Sequence, residues 1–144
     1  MRTRVLLALG MLTLGVVAAD AAQTVWSGLV IANNVAQPTA VPKELSAIEH
    51  TLKTLFGYNQ FQIIGQSTKL VKSGDENWDA TSKYFKLHVD SKGEADAGYL
   101  LSLKLYQEQK LLLETEAKLN KRSPLVIKGP VIGDGQLLLL LVIQ

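Results

Sequence analysis

The sequence predicts an α+β domain: an antiparallel sheet of about five to seven strands with one helix, residues 43–56, packed on one face. A small β-sandwich or barrel, with the helix as a plug, is the alternative. Three observations lead there. Most of the chain beyond residue 60 alternates apolar and polar residues with period two. One stretch before it has helical spacing instead. The run Leu137–Ile143 is apolar throughout, too short to cross a membrane, and reads as a strand buried on both faces.

The chain opens with Met1-Arg2-Thr3-Arg4, followed by the uncharged apolar stretch Val5–Ala19 and a cluster of alanines around Asp20. Ala19-Asp20-Ala21 has the small-x-small shape of a signal-peptidase site, so residues 1–22 are expected to be a secretory signal peptide. Residues 23–144 are then a single exported domain, in the periplasm, the cell envelope or the medium. Removing the first 22 of 144 residues leaves 122, enough to close one core. The net charge falls from +2 to +1, because the leader carries Arg2, Arg4 and Asp20.

Thr24–Ala32 is the first expected strand, with Val25, Leu29 and Ile31 on one face and Trp26, Val30 and Ala32 on the other. Apolar residues on both faces call for cover on both sides. Residues 33–42 form a connector with two prolines. Pro42 then sits where a first helical residue belongs. Leu45, Ile48, Leu52, Leu55 and Phe56 make one helical stripe, which Gly57 ends.

Residues 61–71 are expected to form a strand with an irregularity at Gly65, and 72–82 a polar loop. Residues 83–90 alternate with Phe85, Leu87 and Val89 inward, and 91–97 read as a turn. Leu101, Leu103 and Leu105 then oppose Leu111, Leu113, Thr115, Ala117 and Leu119. All the inward positions are odd-numbered, so an unbulged hairpin needs an odd loop. Gln107-Glu108-Gln109 fits, pairing Leu105 with Leu111 and Leu103 with Leu113. Residues 125–128 are a short strand, Gly129-Pro130 a turn, and Gly133-Asp134-Gly135 another.

The chemistry available is sparse. The chain has no cysteine, which excludes disulfides, thiol catalysis and thiolate metal sites. Its basic residues are dispersed, without the clustered footprint of a nucleic-acid binder. Asp75, Asn77 and Asp79 have the opening spacing of a calcium loop, but Ala80 and Lys86 stand where glycine and a bidentate glutamate belong. His50 lies on the polar side of the helix and His88 on an outward strand face, neither with a second ligand at metal spacing. No catalytic residue, metal or cofactor is expected.

Trp78, in the 72–82 loop, is either an exposed binding anchor or a lid folded back over the sheet edge. With Asp75 and Asp79 it forms the candidate partner-binding set. The function expected is non-catalytic binding, adaptor or assembly work through a sheet edge or that loop. The partner would be another envelope or extracellular protein. No nucleic acid is expected, and no membrane span in the mature chain. A small hydrolase or small-ligand carrier, with a cavity between helix and sheet, is the alternative.

Overall fold

The computed structural model describes residues 22–72 and 75–144; the expected signal peptide, apart from Ala22, lies outside the described residues. Among the described residues, eight strands form two four-stranded antiparallel sheets, in place of the single sheet of five to seven expected. The strands are β1 (Gln23–Asn33), β2 (Gln60–Val71), β3 (Asn77–Thr81), β4 (Phe85–Ala95), β5 (Gly98–Gln107), β6 (Lys110–Asn120), β7 (Leu125–Ile132) and β8 (Gly135–Ile143). One sheet has the order β2-β1-β8-β7 and the other β3-β4-β5-β6. The chain leaves the first sheet after β2, runs a four-strand meander, and returns for the β7–β8 hairpin.

The sheet containing β1 and β8 is the middle layer of three. Val25 and Leu29 of β1, with Leu137, Leu139 and Leu141 of β8, pack against the inward residues of the meander, Leu87, Val89, Leu101, Leu103 and Leu105. Trp26, Val30 and Ala32, with Leu138 and Leu140, face the other way and are covered by Leu45, Leu52 and Phe61. Strand alternation sends neighbouring residues to opposite faces. A central strand with cover on both sides is therefore apolar on both faces, as Leu137–Ile143 of β8 are and as Val25–Ala32 of β1 are apart from the hydrogen-bonded Ser27. The helix covers the outside of this sheet and does not plug a barrel.

That cover is shorter and less regular than the spacing predicts. Lys43–Ile48 is a 3-10 turn, and α1 begins only at Glu49, ending at Phe56. Leu45 and Ile48 lie three apart, one 3-10 turn, and Leu52 and Phe56 continue at α spacing. These four face the sheet. Leu55 does not: it is 62% exposed. Gly57 closes the helix at φ 69, its N–H donating to the Lys53 carbonyl at 3.1 Å. Trp26 Nε1 donates to Gln66 Oε1 at 2.8 Å, and Gln66 Nε2 to Glu44 Oε2 at 3.4 Å, tying the 3-10 turn to β1 and β2.

Bulges account for the other departures. In β2 the register moves at Ile64: Val30 faces Ile63 and Leu29 faces Gly65. Phe61 and Ile63 point toward the helix before the bulge, and Val71 points between the sheets after it. The expected irregularity at Gly65 falls one residue away. The 91–97 segment is not all turn: β4 continues to Ala95 through a break beyond Ser91, leaving only Asp96-Ala97 to turn.

The β5–β6 hairpin closes with the two residues Glu108-Gln109, because a bulge at Leu112 restores the inward parity. Leu105 thus pairs with Leu113 and Leu103 with Thr115, correcting the three-residue loop and its pairing. Gly129-Pro130 is likewise a bulge inside β7, an edge strand that tolerates the missing N–H of proline. The buried amide of Gln136 donates to the carbonyls of Gly129, Pro130 and Leu137.

One titratable group is held in the interior. Tyr99 is 3% exposed, and burial raises its phenol above 10.0, with Glu94 and then Glu76 adding repulsion of the phenolate. A phenol raised in the folded state contributes stability in full below the unfolded value, and that contribution is lost as pH rises through the folded value. Urea midpoints should therefore fall from about pH 10 upward. Tyr99→Phe should flatten that alkaline limb. Identical alkaline limbs for both proteins would mean that Tyr99 does not couple folding to pH.

Candidate functional site

Of the candidate residues, Trp78 lies in the interior. The segment 72–82 is not one loop, because Asn77–Thr81 forms β3 against β4, with Trp78 opposite Val89 and Asp79 opposite His88. Trp78 is 8% exposed, packs in the core between the sheets, and donates from Nε1 to Ser27 Oγ at 2.9 Å. An exposed loop position for it is corrected. Asp79, the next residue along a strand, points the opposite way into solvent. Asp75 is exposed in the segment before β3. Trp78 and Asp79 therefore do not share a surface.

Asp79 instead joins a polar network on the outer face of the meander. His88 Nδ1 lies 2.6 Å from Asp79 Oδ1, and His88 Nε2 lies 3.3 Å from Asp90 Oδ2. The two carboxylates take opposite nitrogens of the ring, so they do not converge on a common point. Among the described residues, no three His, Cys, Asp or Glu side chains are grouped to hold a metal ion. Lys104–Glu114, Lys92–Glu116 and Lys118–Asp96 continue the network across β4, β5 and β6. Exposed pairs of this kind contribute little to stability and keep the face solvated. His50 is exposed on α1.

A different place combines shape with unused bonding groups. The strands β2 and β3, which end their two sheets, approach so closely at Gly65 that an added Cβ would lie 2.2 Å from the Thr81 carbonyl oxygen. Only glycine allows that contact. Beyond it, toward residue 60, β3 gives way to a turn and a groove of about 480 Å³ opens. Gln62, Ile63 and Ile64 of β2 form one side, and Ser82, Lys83, Tyr84 and Phe85 the other; Ile31 and Ile132 complete it. Sequence reading could not find this site, because its sides are distant in the chain and Ile31, Ile63 and Ile64 look like ordinary core residues.

The groove is held in shape. Ser82 N donates to the Phe85 carbonyl at 2.8 Å, and Phe85 N donates to Ser82 Oγ at 3.0 Å. The Tyr84 carbonyl accepts from Glu108 N at 2.8 Å, pinning the turn to the β5–β6 hairpin. At its tip the Tyr84 side chain is 53% exposed, and Lys83 Nζ lies 5.3 Å from the ring centroid. Because β2 ends its sheet, backbone groups of Gln62–Ile64 that point away from β1 have no strand beside them among the described residues. Two larger hollows, about 690 and 640 Å³, lack this combination. One is bounded by the four consecutive residues Gln107–Lys110, and the other by Ala97 and residues 120–123.

The space between helix and sheet is filled by Trp26, Val30, Leu45, Leu52, Phe61, Leu138 and Leu140, none more than 3% exposed. Among the described residues, no helix is long and apolar enough to cross a membrane. No protein-family model matches the chain, and no curated protein or solved structure matches it.

Proposed function

We propose that the protein is an exported, non-catalytic binding module that accepts an extended segment of another envelope or extracellular protein along the β2 edge. The observation that carries this reading is the apolar groove directly beside the strand-free backbone of Gln62–Ile64. Strand addition needs both parts: main-chain hydrogen bonds supply affinity, and a side-chain pocket supplies selection. The groove also reaches Ser82, at the end of the 72–82 segment. Asp75 and Asp79 lie elsewhere on that segment, exposed to an approaching partner, while Trp78 supports the core from within. A carrier with its ligand between helix and sheet finds that space already packed.

The test is capture of envelope or culture-medium proteins on the exported chain, followed by hydrogen-exchange mapping of the purified complex. N-terminal sequencing of the same material reads cleavage of residues 1–22. Protection is expected at Gln62–Ile64 and Ser82–Phe85. Tyr84→Ala should weaken retention about tenfold, the order of a truncated interface aromatic, with an almost unchanged urea midpoint. Protection confined to other strands would overturn the site. Turnover of a glycan, ester or peptide, abolished by one histidine or carboxylate substitution that leaves folding intact, would overturn the non-catalytic reading.

A further inference from the structure

Resting on that reading, we infer the partner's chemistry: an extended peptide that places a large apolar side chain in the groove and an adjacent carboxylate against Lys83. Two features of the groove lead to it. Ile31, Ile64, Phe85 and Ile132, which pack on the inter-sheet side, supply the apolar part of the lining, so the part that enters is apolar. Among the described residues, Lys83 is the only charged one lining the groove, and no carboxylate lines it.

Among the described residues no carboxylate pairs with the ammonium of Lys83. The same holds for the lysines at 43, 72, 86, 110, 121 and 128, but Lys83 alone among them lines the groove. The described lysines at 53, 69, 92, 104 and 118 each have a carboxylate partner. Lys83 has only the face of the Tyr84 ring, at 5.3 Å. An ammonium parked over an exposed aromatic ring, at the tip of a turn anchored by three hydrogen bonds, complements a carboxylate entering beside an apolar group. A single flexible ammonium does not offer the fork of donors that selects phosphate. The neighbouring free edge of β2 selects a main chain over an isolated acid, because it offers hydrogen bonds that only an extended peptide can use along its length.

The experiment is an amide-resolved NMR titration of the exported chain. Four probes are used: a capped six-residue alternating threonine–valine peptide carrying Phe-Glu at its centre, the same peptide with Phe-Lys, the same with Ser-Glu, and decanoate. The Phe-Glu peptide is expected to shift Gln62–Ile64 and Ser82–Phe85, and to bind about three- to fivefold more tightly than the Phe-Lys peptide, the size of an exposed ion pair. The Ser-Glu peptide should bind at least about tenfold more weakly, for loss of the buried aromatic.

Lys83→Glu, at an exposed turn position, should reverse the preference between the two charged probes while the spectrum of the free protein remains dispersed. Equal binding of the charged probes at the groove, unchanged by Lys83→Glu, would overturn the carboxylate assignment and leave the edge reading standing. Decanoate shifting these residues when no peptide does would overturn the peptide in favour of an amphipathic acid. Absence of shifts at both sides of the groove with every probe would overturn this inference, while the hydrogen-exchange map of the captured complex would separately decide the edge reading.

Discussion

Trp78→Ala is expected to cost about 3–5 kcal/mol, the range for removing a large buried aromatic side chain. The indole is 8% exposed and packs between the sheets with Val25, Leu29, Val89 and their neighbours. Its loss leaves a cavity, and it also removes the N–H that Ser27 Oγ accepts. Against a typical domain stability of about 5–15 kcal/mol, that is a large fraction. Trp78→Phe keeps much of the packing and isolates the hydrogen bond. It should cost about 1–3 kcal/mol, because the buried Ser27 hydroxyl is left without this donor. Urea melts of the two variants separate the terms. An unchanged midpoint in Trp78→Ala, with weakened partner capture, would return Trp78 to the role of an exposed anchor.

The second large effect is expected at the helix. Leu52 is fully buried on α1, over the face formed by Trp26, Val30, Leu138 and Leu140. Leu52→Ala should cost about 2–5 kcal/mol. Leu55, three residues on and 62% exposed, should tolerate alanine with a change below about 0.5 kcal/mol, since alanine is also the better helix former. Both leucines fit the helical stripe in the sequence, so the pair tests the structure and not the pattern. Equal losses would mean that the helix presents another face to the sheet.

The contrast between these two leucines shows how far the pattern alone can be trusted. Spacing places Leu45, Ile48, Leu52, Leu55 and Phe56 on one stripe only if the segment is a single α-helix. The α-helix that forms is only Glu49–Phe56, and at about 100° per residue Leu55 sits to one side of Leu52 and Phe56 to the other, which leaves Leu55 off the face that Leu52 and Phe56 present. The hairpin fails for a similar reason. Its parity argument holds for an unbulged pair, and the bulge at Leu112 removes that premise while keeping Leu105 and Leu113 face to face. Strand β3 is hard to read from the sequence because Asn77-Trp78-Asp79-Ala80-Thr81 looks like loop by composition. Its alternation of exposed polar residues with buried Trp78 and Ala80 is the period-two signal that a five-residue window barely carries.

What the amino-acid order determined by itself was the class of structure and much of its local layout. Val25 to Ala32 and Leu137 to Ile143, apolar on both faces, already required a layer on each side of the strands they form. The absence of cysteine left packing as the source of stability. Only the tertiary structure decided how those strands divide into two sheets, because antiparallel pairing between β1 and β8 joins chain segments more than a hundred residues apart and leaves no local mark. It also decided the groove. That feature exists where β2 and the β3–β4 turn part company beyond Gly65, and it depends on two backbones touching at one residue and separating at the next. Periodicity reports which side of its own strand a residue occupies. It does not report which other strand lies across the gap, and the groove consists of that gap.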